Sequence, residues 1–529
     1  MAQKTSQIKD IPMKKMSKNM QILIISAVGI IILAAVVVLL LLTQPKETAE
    51  TEDSGTSAET TADPALVFSD KTAEEVKSVS VINRNDTYKI VSEIETITNS
   101  DGTTEENQIW SVVDIGGECD LNQAAFNTIA NNSASITAKQ LVEENCAELE
   151  KYGLKEPVAE VTVVYTDDTS VSFCIGNTVP TDTSSTYFGI KGSNDVYIYA
   201  TSKINCYANT RYYYVKTQLM AAYDTEKAPM IEKITVVRSD LEEPIIIEAI
   251  PEDSENSEYI SYSSHRFTSP YDVYLDQTNH SDLVYGMFGL TASEAVWVGM
   301  EDKDYEVAGL NEPTAVITML FLNKEYTLTL GTPLVNKTEN SDGTVTTTLA
   351  GYYGTFSEDP DVLYMFSASS VPWATMEVSD CMARLFLLPY IYSLDSVVYK
   401  DDTKTIEFDI KEIPAESEDE KATYEFYMNG EKIEDEDKFK ELYQYFISAY
   451  GEDIYTDEAK GEFICSLTYR YRDPNRPEDL VEFFNSVDDR KTVIAVNGSN
   501  LFKTRQMFST RLVENIENYI SGGEISLNY

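Results

Sequence analysis

The sequence predicts an α+β protein in which an N-terminal transmembrane helix precedes three tandem, related α+β modules with antiparallel, meander-type sheets. Three observations predict this architecture. An uncharged apolar run lies near the N-terminus, apolar and polar residues alternate through much of the remaining chain, and similar segments recur about 155 to 163 residues apart. The chain has 529 residues, of which 43% are hydrophobic, and is therefore long enough for several folded domains.

The apolar run occupies residues 22–42 and contains no charged residue. A helix of this length spans the hydrocarbon core of a bilayer, which is about 30 Å thick. Residues 1–21 hold five lysines and one aspartate, so they are predicted to be a basic cytoplasmic tail, with the chain after the signal anchor on the extracellular side of the cell membrane. The alternative is a cleaved signal peptide, but Thr43-Gln44-Pro45-Lys46 does not resemble a cleavage site.

The chain is strongly acidic, with 41 Lys and Arg, 88 Asp and Glu and a formal charge of -47. Because five lysines and one acid precede residue 44, the part predicted to be exported holds 36 basic and 87 acidic residues, a charge of -51. A phosphate backbone would be repelled by this charge, so no nucleic-acid partner is expected. Residues 43–70, rich in Thr, Glu, Ser and Ala, are predicted to be a disordered acidic tether.

The rest of the chain divides by internal repetition. Residues 76–82, 231–237 and 394–399 alternate alike, and each is followed by a polar turn and a second alternating run. This pattern predicts hairpins of half-buried strands. The repeats place module 1 at 71–226, module 2 at 227–391 and module 3, a degenerate repeat, at 392–529.

A second repeated element is the segment Tyr152-Gly-Leu-Lys-Glu-Pro157, which matches Ala308-Gly-Leu-Asn-Glu-Pro313. Its glycine is expected to adopt a positive φ at a tight turn, and its leucine is expected to fill the module core. Strands are predicted directly afterwards, at 159–165 and 315–321. The alternative interpretation is a loop presented to a partner.

Each module is predicted to contain an early hairpin, a helix and a four-strand meander. The helix of module 3 is predicted at 435–448, with Asp435 or Asp437 available as its cap. The strands that follow are predicted at 466–471, 481–484 and 492–496, and a closing helix at about 507–519.

Six cysteines lie after the predicted anchor, at positions 119, 146, 174, 206, 381 and 465, with no Cys-x-x-Cys pair. They are expected to be free and mostly buried thiols, and one disulfide in the first third is the alternative. Asn340-Ser341-Asp342-Gly343-Thr344 has too few carboxylates for a calcium loop and is predicted to be a hairpin turn. No metal ligands are predicted.

The serine-hydrolase, zinc-protease and phosphate-loop motifs do not occur in the sequence. The two histidines, His265 and His280, lie in polar, loop-like sequence, where a histidine is usually solvated. Acidic residues are too numerous to single out a catalytic pair. The prediction is therefore no enzyme, with no catalytic residue and no cofactor.

Aromatic residues are abundant, with 34 Tyr, 19 Phe and three Trp. Such side chains stack on sugar rings, but they also form cores and protein–protein contacts, and Arg211 beside Tyr212-Tyr213-Tyr214 is interpreted as an anchor for a protein partner. Tyr197 and Tyr199 are expected on one face of a sheet, where packing accounts for them. Sugar binding stays the weaker alternative.

Taken in order, the anchor, the tether, the early hairpin, Tyr152-Gly-Leu154 with Pro157 and the glycine-ended strand 173–176 resemble an uncharacterised bacterial family, domain of unknown function 4340. The resemblance is good over the anchor and module 1, moderate over module 2 and limited to pattern in module 3. It implies a membrane-anchored extracytoplasmic protein, often encoded beside an ABC-type permease, its ATPase and an auxiliary protein. It implies no catalytic residues.

The predicted function is that of a non-enzymatic accessory or scaffold protein at an ABC-type transporter or envelope complex. A permease, its ATPase and an auxiliary subunit are the expected partners, besides the membrane itself. The alternative is a surface protein that binds cell-wall polysaccharide, and a third possibility is an envelope hydrolase.

Overall fold

The computed structural model describes residues 66–98, 103–223, 227–250, 263–340, 344–385, 387–414 and 422–529. These residues form three large sheets and one two-stranded sheet, and every strand pair is antiparallel. The predicted α+β class with antiparallel meander sheets is thereby confirmed. The predicted cytoplasmic tail and anchor, 1–42, lie outside the described residues, within which no helix is long and apolar enough to span a bilayer.

The first sheet has the strand order β4-β3-β2-β7-β8-β9-β10-β6, and β1 pairs separately with β5. Helix α1 (Gln123–Ala134) lies between β4 and β5 in the chain, and α2 (Thr201–Ile204) follows β10. The strands are β1 (Val67–Asp70), β2 (Val76–Asn83), β3 (Thr87–Thr98), β4 (Thr104–Val113), β5 (Ser135–Thr137), β6 (Gln140–Glu143), β7 (Ala159–Tyr165), β8 (Ser170–Val179), β9 (Asp182–Ile190) and β10 (Val196–Ala200).

The second sheet has the order β14-β13-β12-β11-β16-β17-β18-β19-β15. Its strands are β11 (Lys233–Arg238), β12 (Ile245–Ala249), β13 (His265–Ser269), β14 (Val273–Tyr274), β15 (Glu294–Val298), β16 (Ala315–Phe321), β17 (Lys324–Glu339), β18 (Val345–Phe356) and β19 (Asp359–Ser367). The helix predicted here consists of two single turns before β15, and two more short helices follow later in the chain. These four are α3 (Gln277–His280), α4 (Asp282–Tyr285), α5 (Asp302–Ala308) and α6 (Val378–Cys381).

The third sheet has the order β23-β22-β21-β20-β25-β26-β27-β28-β24. Its strands are β20 (Leu394–Lys400), β21 (Thr405–Ile413), β22 (Thr423–Met428), β23 (Glu431–Lys432), β24 (Asp453–Ile454), β25 (Phe463–Tyr471), β26 (Asp479–Asn485), β27 (Lys491–Val496) and β28 (Ser499–Arg505). Both predicted helices are present, as α7 (Glu436–Phe446) and α8 (Gln506–Ser521). The side chain of Asp435 caps α7 by accepting a hydrogen bond from the backbone N–H of Lys438 at 3.1 Å.

Eight strands follow the same order in all three sheets, and the second and third sheets add one outer two-residue strand each, β14 and β23. In each sheet, the first three strands that follow one another in the chain (for example β2, β3 and β4) form one half, and the four-strand meander forms the other half. The chain between these two groups contributes one more strand, which pairs with the last meander strand. The third strands (β4, β13, β22) and the edge strands (β6, β15, β24) are additions to the predicted plan. Strands β17 and β18 pair up to Glu339 and Val345, and Asn340 N–H donates to Thr344 C=O at 2.8 Å, while residues 341–343 of the predicted hairpin turn lie outside the described residues.

The sheets bury alternating side chains. Along β7 and β16, buried residues alternate with half-buried ones over all seven positions. Helices cover one face of a sheet: Phe126 of α1 stacks on Trp110 of β4 at 5.9 Å, and Phe439 of α7 lies 5.1 Å from the ring of Phe408 in β21. As predicted, Tyr197 and Tyr199 are buried with this packing.

The connections between the sheets also repeat. In the linker between the first and second sheets, Lys216 N–H donates to the C=O of Asp120, which precedes it in the chain, at 2.8 Å. The next residue, Thr217, accepts at its C=O from the N–H of Ala292, just ahead of β15, at 2.9 Å. At the end of the second sheet's segment, Ala383 N–H donates to Tyr274 C=O, and Gly451 N–H donates to Arg384 C=O. These two bonds measure 2.7 and 2.9 Å. Each linker therefore bonds first to its own sheet's segment and then to the next one.

Strand β1 occupies the corresponding place in the first sheet's segment. Lys71 N–H donates to Ala134 C=O at 3.1 Å, and Ala138 N–H donates to Leu66 C=O at 2.9 Å. The tether was predicted to extend to residue 70, and this end is wrong. Phe68 in β1 belongs to the folded part of the chain, because the centroid of its ring lies 5.8 Å from that of Phe188.

The glycine of the repeated Gly-Leu element has the predicted positive φ, and the element forms the end of a helix. Gly153 and Gly309 have φ of 71° and 72° and close a 3-10 helix and α5 respectively. The expectation that Leu154 and Leu310 fill the module core is wrong. Both are 8% exposed, but they belong to small separate clusters, with Val196 and with Leu363.

Candidate functional site

The candidate site lies where the first and second sheets meet and where aromatic side chains are exposed to solvent. This contact is called here the first junction. The 3-10 helix Arg211–Tyr214 contacts the edge strand β15 of the second sheet. Tyr212 and Trp297 meet across this contact with ring centroids 5.7 Å apart and planes tilted by 43°. Trp297 is 45% exposed and Tyr213 is 53% exposed, so aromatic surface stays open to solvent.

Two glycine segments bring the backbones of the two sheets into direct contact. Gly116 and Gly299 have φ of 114° and 75°, a region that favours glycine. A Cβ on Gly299 would lie 2.3 Å from the carbonyl oxygen of Gly116, and one on Gly116 would lie 2.5 Å from that of Val298. The two loops can therefore approach this closely only because both positions lack a side chain.

Arg211 is directed inward rather than toward a partner, which corrects its interpretation as an interface anchor. Its Nε donates to Asp86 Oδ2 at 2.9 Å and its Nη2 to Asp86 Oδ1 at 2.8 Å, while Nη1 reaches the carbonyl of Asp114 at 3.0 Å. These bonds lower the pKa of the Asp86 carboxyl below its usual value. The guanidinium thus fixes the 3-10 helix to the β2–β3 turn.

The three consecutive tyrosines have different environments. Tyr214 is fully buried between Phe126 and Tyr88, and burial raises its pKa. Tyr212 is half-buried against Trp297, and Tyr213 extends into solvent. The alternation of a 3-10 helix therefore divides one tyrosine run between core, junction and surface.

Two cavities open at the first junction and share Tyr212 and Glu294 in their walls. The Trp297 cavity, of about 550 Å³, is also lined by Asn85 and Asp114. The Tyr213 cavity, of about 530 Å³, is also lined by Asn122, Asn209 and Thr217. Each cavity therefore combines one exposed aromatic ring with amide, hydroxyl or carboxylate groups.

A larger cavity, of about 800 Å³, lies between the second and third sheets. Tyr271 is its one aromatic lining residue, and Asp272 is already paired with Arg266. Lys460 lies over the ring of Phe484, 4.0 Å from its centroid. This cavity has one aromatic lining residue, whereas the first junction exposes the rings of both Trp297 and Tyr213.

The two histidines differ from the expectation of solvated loops. His265 begins β13 and is fully buried, with Nε2 2.8 Å from the carbonyl oxygen of Ile231 and Nδ1 2.8 Å from Ser264 Oγ. Burial lowers the pKa of its imidazole, so the neutral form is favoured. His280 ends α3 and is half-buried.

All six cysteines are free, as predicted, and four of them are buried. Cys174 and Cys465 lie in β8 and β25, also as predicted. Burial raises the pKa of the Cys119 thiol to about 11, a change that disfavours the reactive thiolate. Among the residues with described positions, no group of three or more His, Cys, Asp or Glu is arranged to hold a metal ion.

Sequence reasoning named Arg211 and the tyrosine run but did not connect them with Trp297. The first junction joins residues more than 80 positions apart, and neither Gly116 nor Gly299 reveals its partner from the sequence. The one local signal was the pair Gly116-Gly117 after β4, which is unusual in a region of strands.

The family comparison covers the part of the first junction that holds Gly116 and Tyr212, whereas Trp297 and Gly299 lie beyond the matched residues. A family model described as "Domain of unknown function (DUF4340)" matches residues 110–255, from Trp110 in β4 to beyond β12. No curated protein and no solved structure matches the chain. The resemblance to domain of unknown function 4340 is thereby confirmed over residues 110–255.

Proposed function

We propose that this protein is a non-enzymatic, membrane-anchored accessory or scaffold protein on the extracellular side of the cell membrane, beside an ABC-type transporter or envelope complex. Three tandem, related α+β modules form its body. The anchor predicted at 22–42 would hold this body at the membrane, and the acidic tether would separate the two.

The observation that carries the proposal is the repetition of both the sheets and their connections. The same strand order occurs three times, and the two linkers bond to their neighbours in the same way. Repeated modules that contact their neighbours present extended surfaces for binding, which is the usual role of tandem repeats. The choice of a transporter as partner rests on the family resemblance alone.

The experiment is affinity purification of the tagged, full-length protein from its native membranes after mild crosslinking, followed by mass spectrometry. We expect enrichment of a permease and its ATPase over a mock purification from cells that lack the tag. Recovery of the protein alone, or together with wall polymer, would contradict the transporter link and favour the polysaccharide-binding alternative.

The ribbon of β17 and β18 beyond the second sheet is the first contact surface to test. Residues 335–339 of this ribbon pair with residues 345–349, and Val335 and Val345 are 48% and 59% exposed. A Val345→Asp variant should reduce the recovery of the permease if the ribbon contacts it. Val237→Asp is the matched control, because Val237 is 52% exposed in the central strand β11.

A further inference from the structure

Trp297 is the exposed member of the chain's three tryptophans. Trp110 and Trp373 are 4% and 0% exposed, whereas Trp297 is 45% exposed at the edge of the second sheet. Its ring is braced by Tyr212 and is therefore held in place while one part stays open. An ordered aromatic surface of this kind suits the apolar face of a sugar ring.

Polar groups stand beside both open rings. Asp114 and Asn85 are exposed in the wall of the Trp297 cavity, and Asn122 is exposed in that of the Tyr213 cavity. Carboxylate and amide groups accept and donate the hydrogen bonds that sugar hydroxyls require. Glu294, exposed and common to both walls, stands where two adjacent rings would meet.

The charge of the two cavities selects among carbohydrates. Of the described residues that line them, none is a lysine, and the guanidinium of Arg211 is already bonded to Asp86. Asp114 and Glu294 add negative charge to the walls. An anionic polymer would be repelled here, whereas a neutral glycan would not.

The size and rigidity of the site suit a short stretch of glycan. Cavities of about 300 to 1,000 Å³ are typical of small-molecule sites, and these two measure about 550 and 530 Å³. The contact between Gly116 and Gly299 and the bonds of Arg211 hold the walls in place before any ligand arrives. A preformed site loses less conformational entropy on binding.

We propose that the first junction binds a neutral oligosaccharide, with one sugar ring on Trp297 and a neighbouring ring on Tyr213. Tyr212 and Glu294 lie between the two subsites and contribute to the walls of both. This inference goes beyond the accessory role and does not depend on it, because the site needs no transporter to bind its ligand.

The test uses full-length protein in lipid nanodiscs, since detergents with sugar head groups would compete for the site. Cellohexaose and chitohexaose are the neutral probes, and a hyaluronan hexasaccharide is the anionic one. Because Trp297 is the exposed tryptophan, a neutral ligand should shift the emission of the protein to shorter wavelength in a saturable manner. Calorimetry then gives the affinity in each variant.

Trp297→Ala and Tyr213→Ala should each weaken binding of the neutral probe about tenfold or more, as expected from the loss of one stacked ring. Tyr450→Ala is the matched control, because Tyr450 is 47% exposed outside both cavities and should leave the affinity unchanged. The proposal is overturned if neither neutral probe binds, if only the anionic probe binds, or if binding survives both substitutions. None of these outcomes bears on copurification with a permease.

Discussion

The first junction and its counterpart between the second and third sheets are built on similar linker bonds but packed differently. The second and third sheets share one continuous hydrophobic core, which extends from Val215 to Ile516. The first sheet has a core of its own, and Ile115 and Leu121 are the half-buried side chains that pack against both. Three repeats of one strand order are thus joined once by a shared core and once by a narrow contact.

Polar groups follow the same division. At the second junction, Arg384 donates from Nη1 to the carbonyl of Glu452 at 2.9 Å and from Nη2 to that of Ser379 at 2.7 Å, so one side chain joins both partners. At the first junction, Arg211 bonds within its own module. Apart from the linker bonds, the first and second sheets contact each other there through the backbones of Gly116 and Gly299 and the rings of Tyr212 and Trp297. The junction without a shared core is also the one with open aromatic side chains.

The largest expected effect tests whether the two cores are separate. Trp373 is fully buried in the shared core and donates from Nε1 to the carbonyl of Leu283 at 2.8 Å. Trp373→Ala should lower the free energy of unfolding of that core by about 3–5 kcal/mol. Hydrogen exchange read by mass spectrometry should accelerate in β16 and β25 much more than in β2 and β7.

Phe126→Ala is the matched variant in the first core, where Phe126 is also fully buried. It should produce the opposite distribution, with faster exchange confined to the first sheet. Equal acceleration in all three sheets by either variant would show that the two cores unfold as one unit, against the comparison drawn above.

A smaller effect tests the glycine contact of the first junction. Gly299→Ala places a Cβ 2.3 Å from the carbonyl oxygen of Gly116 and also forces alanine to φ near 75°. Gly192→Ala measures the cost of the positive φ alone, because Gly192 has φ of 90° with open space around it. Gly192→Ala should cost about 1 kcal/mol, and Gly299→Ala at least twice as much in chemical denaturation. Equal costs would mean that the two loops separate easily.

The smallest effect concerns the pH dependence of the Arg211–Asp86 pair. Because the folded pKa of Asp86 lies below its unfolded value of about 3.9, the pair stabilises the protein above that pH and loses its contribution as pH falls through the folded pKa. Asp86→Asn should therefore cost about 1–2 kcal/mol at pH 7 and progressively less below about pH 4.

Asp168→Asn is the control for this titration, since Asp168 pairs with Lys77 on the surface and both side chains are more than half exposed. Its cost should stay within about 0.5 kcal/mol at pH 7. A cost for Asp86→Asn that does not change between pH 7 and pH 3 would assign its effect to packing instead of charge.

The sequence predicted the strands whose side chains alternate throughout. The bounds of β7 and β16 agree with those predicted, because every second residue is apolar and buried. It did not predict β4, since this strand begins with the polar run Thr104-Glu-Glu-Asn-Gln108 and buries only Trp110 and Val112 near its end. Two-residue edge strands such as β24 are too short to leave a periodic signal.

The candidate site was predictable in its parts but not as a whole. Arg211 and the tyrosine run were recognisable in the sequence, but whether a side chain points inward or outward depends on the tertiary position of its neighbours. Arg211 is directed inward because Asp86, 125 positions earlier, lies within hydrogen-bond distance of it. The contact between Gly116 and Gly299 depends in the same way on the pairing of distant segments.

The position of β1 has a mechanical consequence. A pull on the chain ahead of Leu66 reaches β1 before any other strand, so the load falls first on the bonds of Leu66 and Lys71 to residues 134–138 and on the packing of Phe68. Strand β2 would feel tension only after these contacts had broken. The contacts of β1 therefore protect the first sheet from tension until they break, and β1 can pair with β5 again when the tension is released.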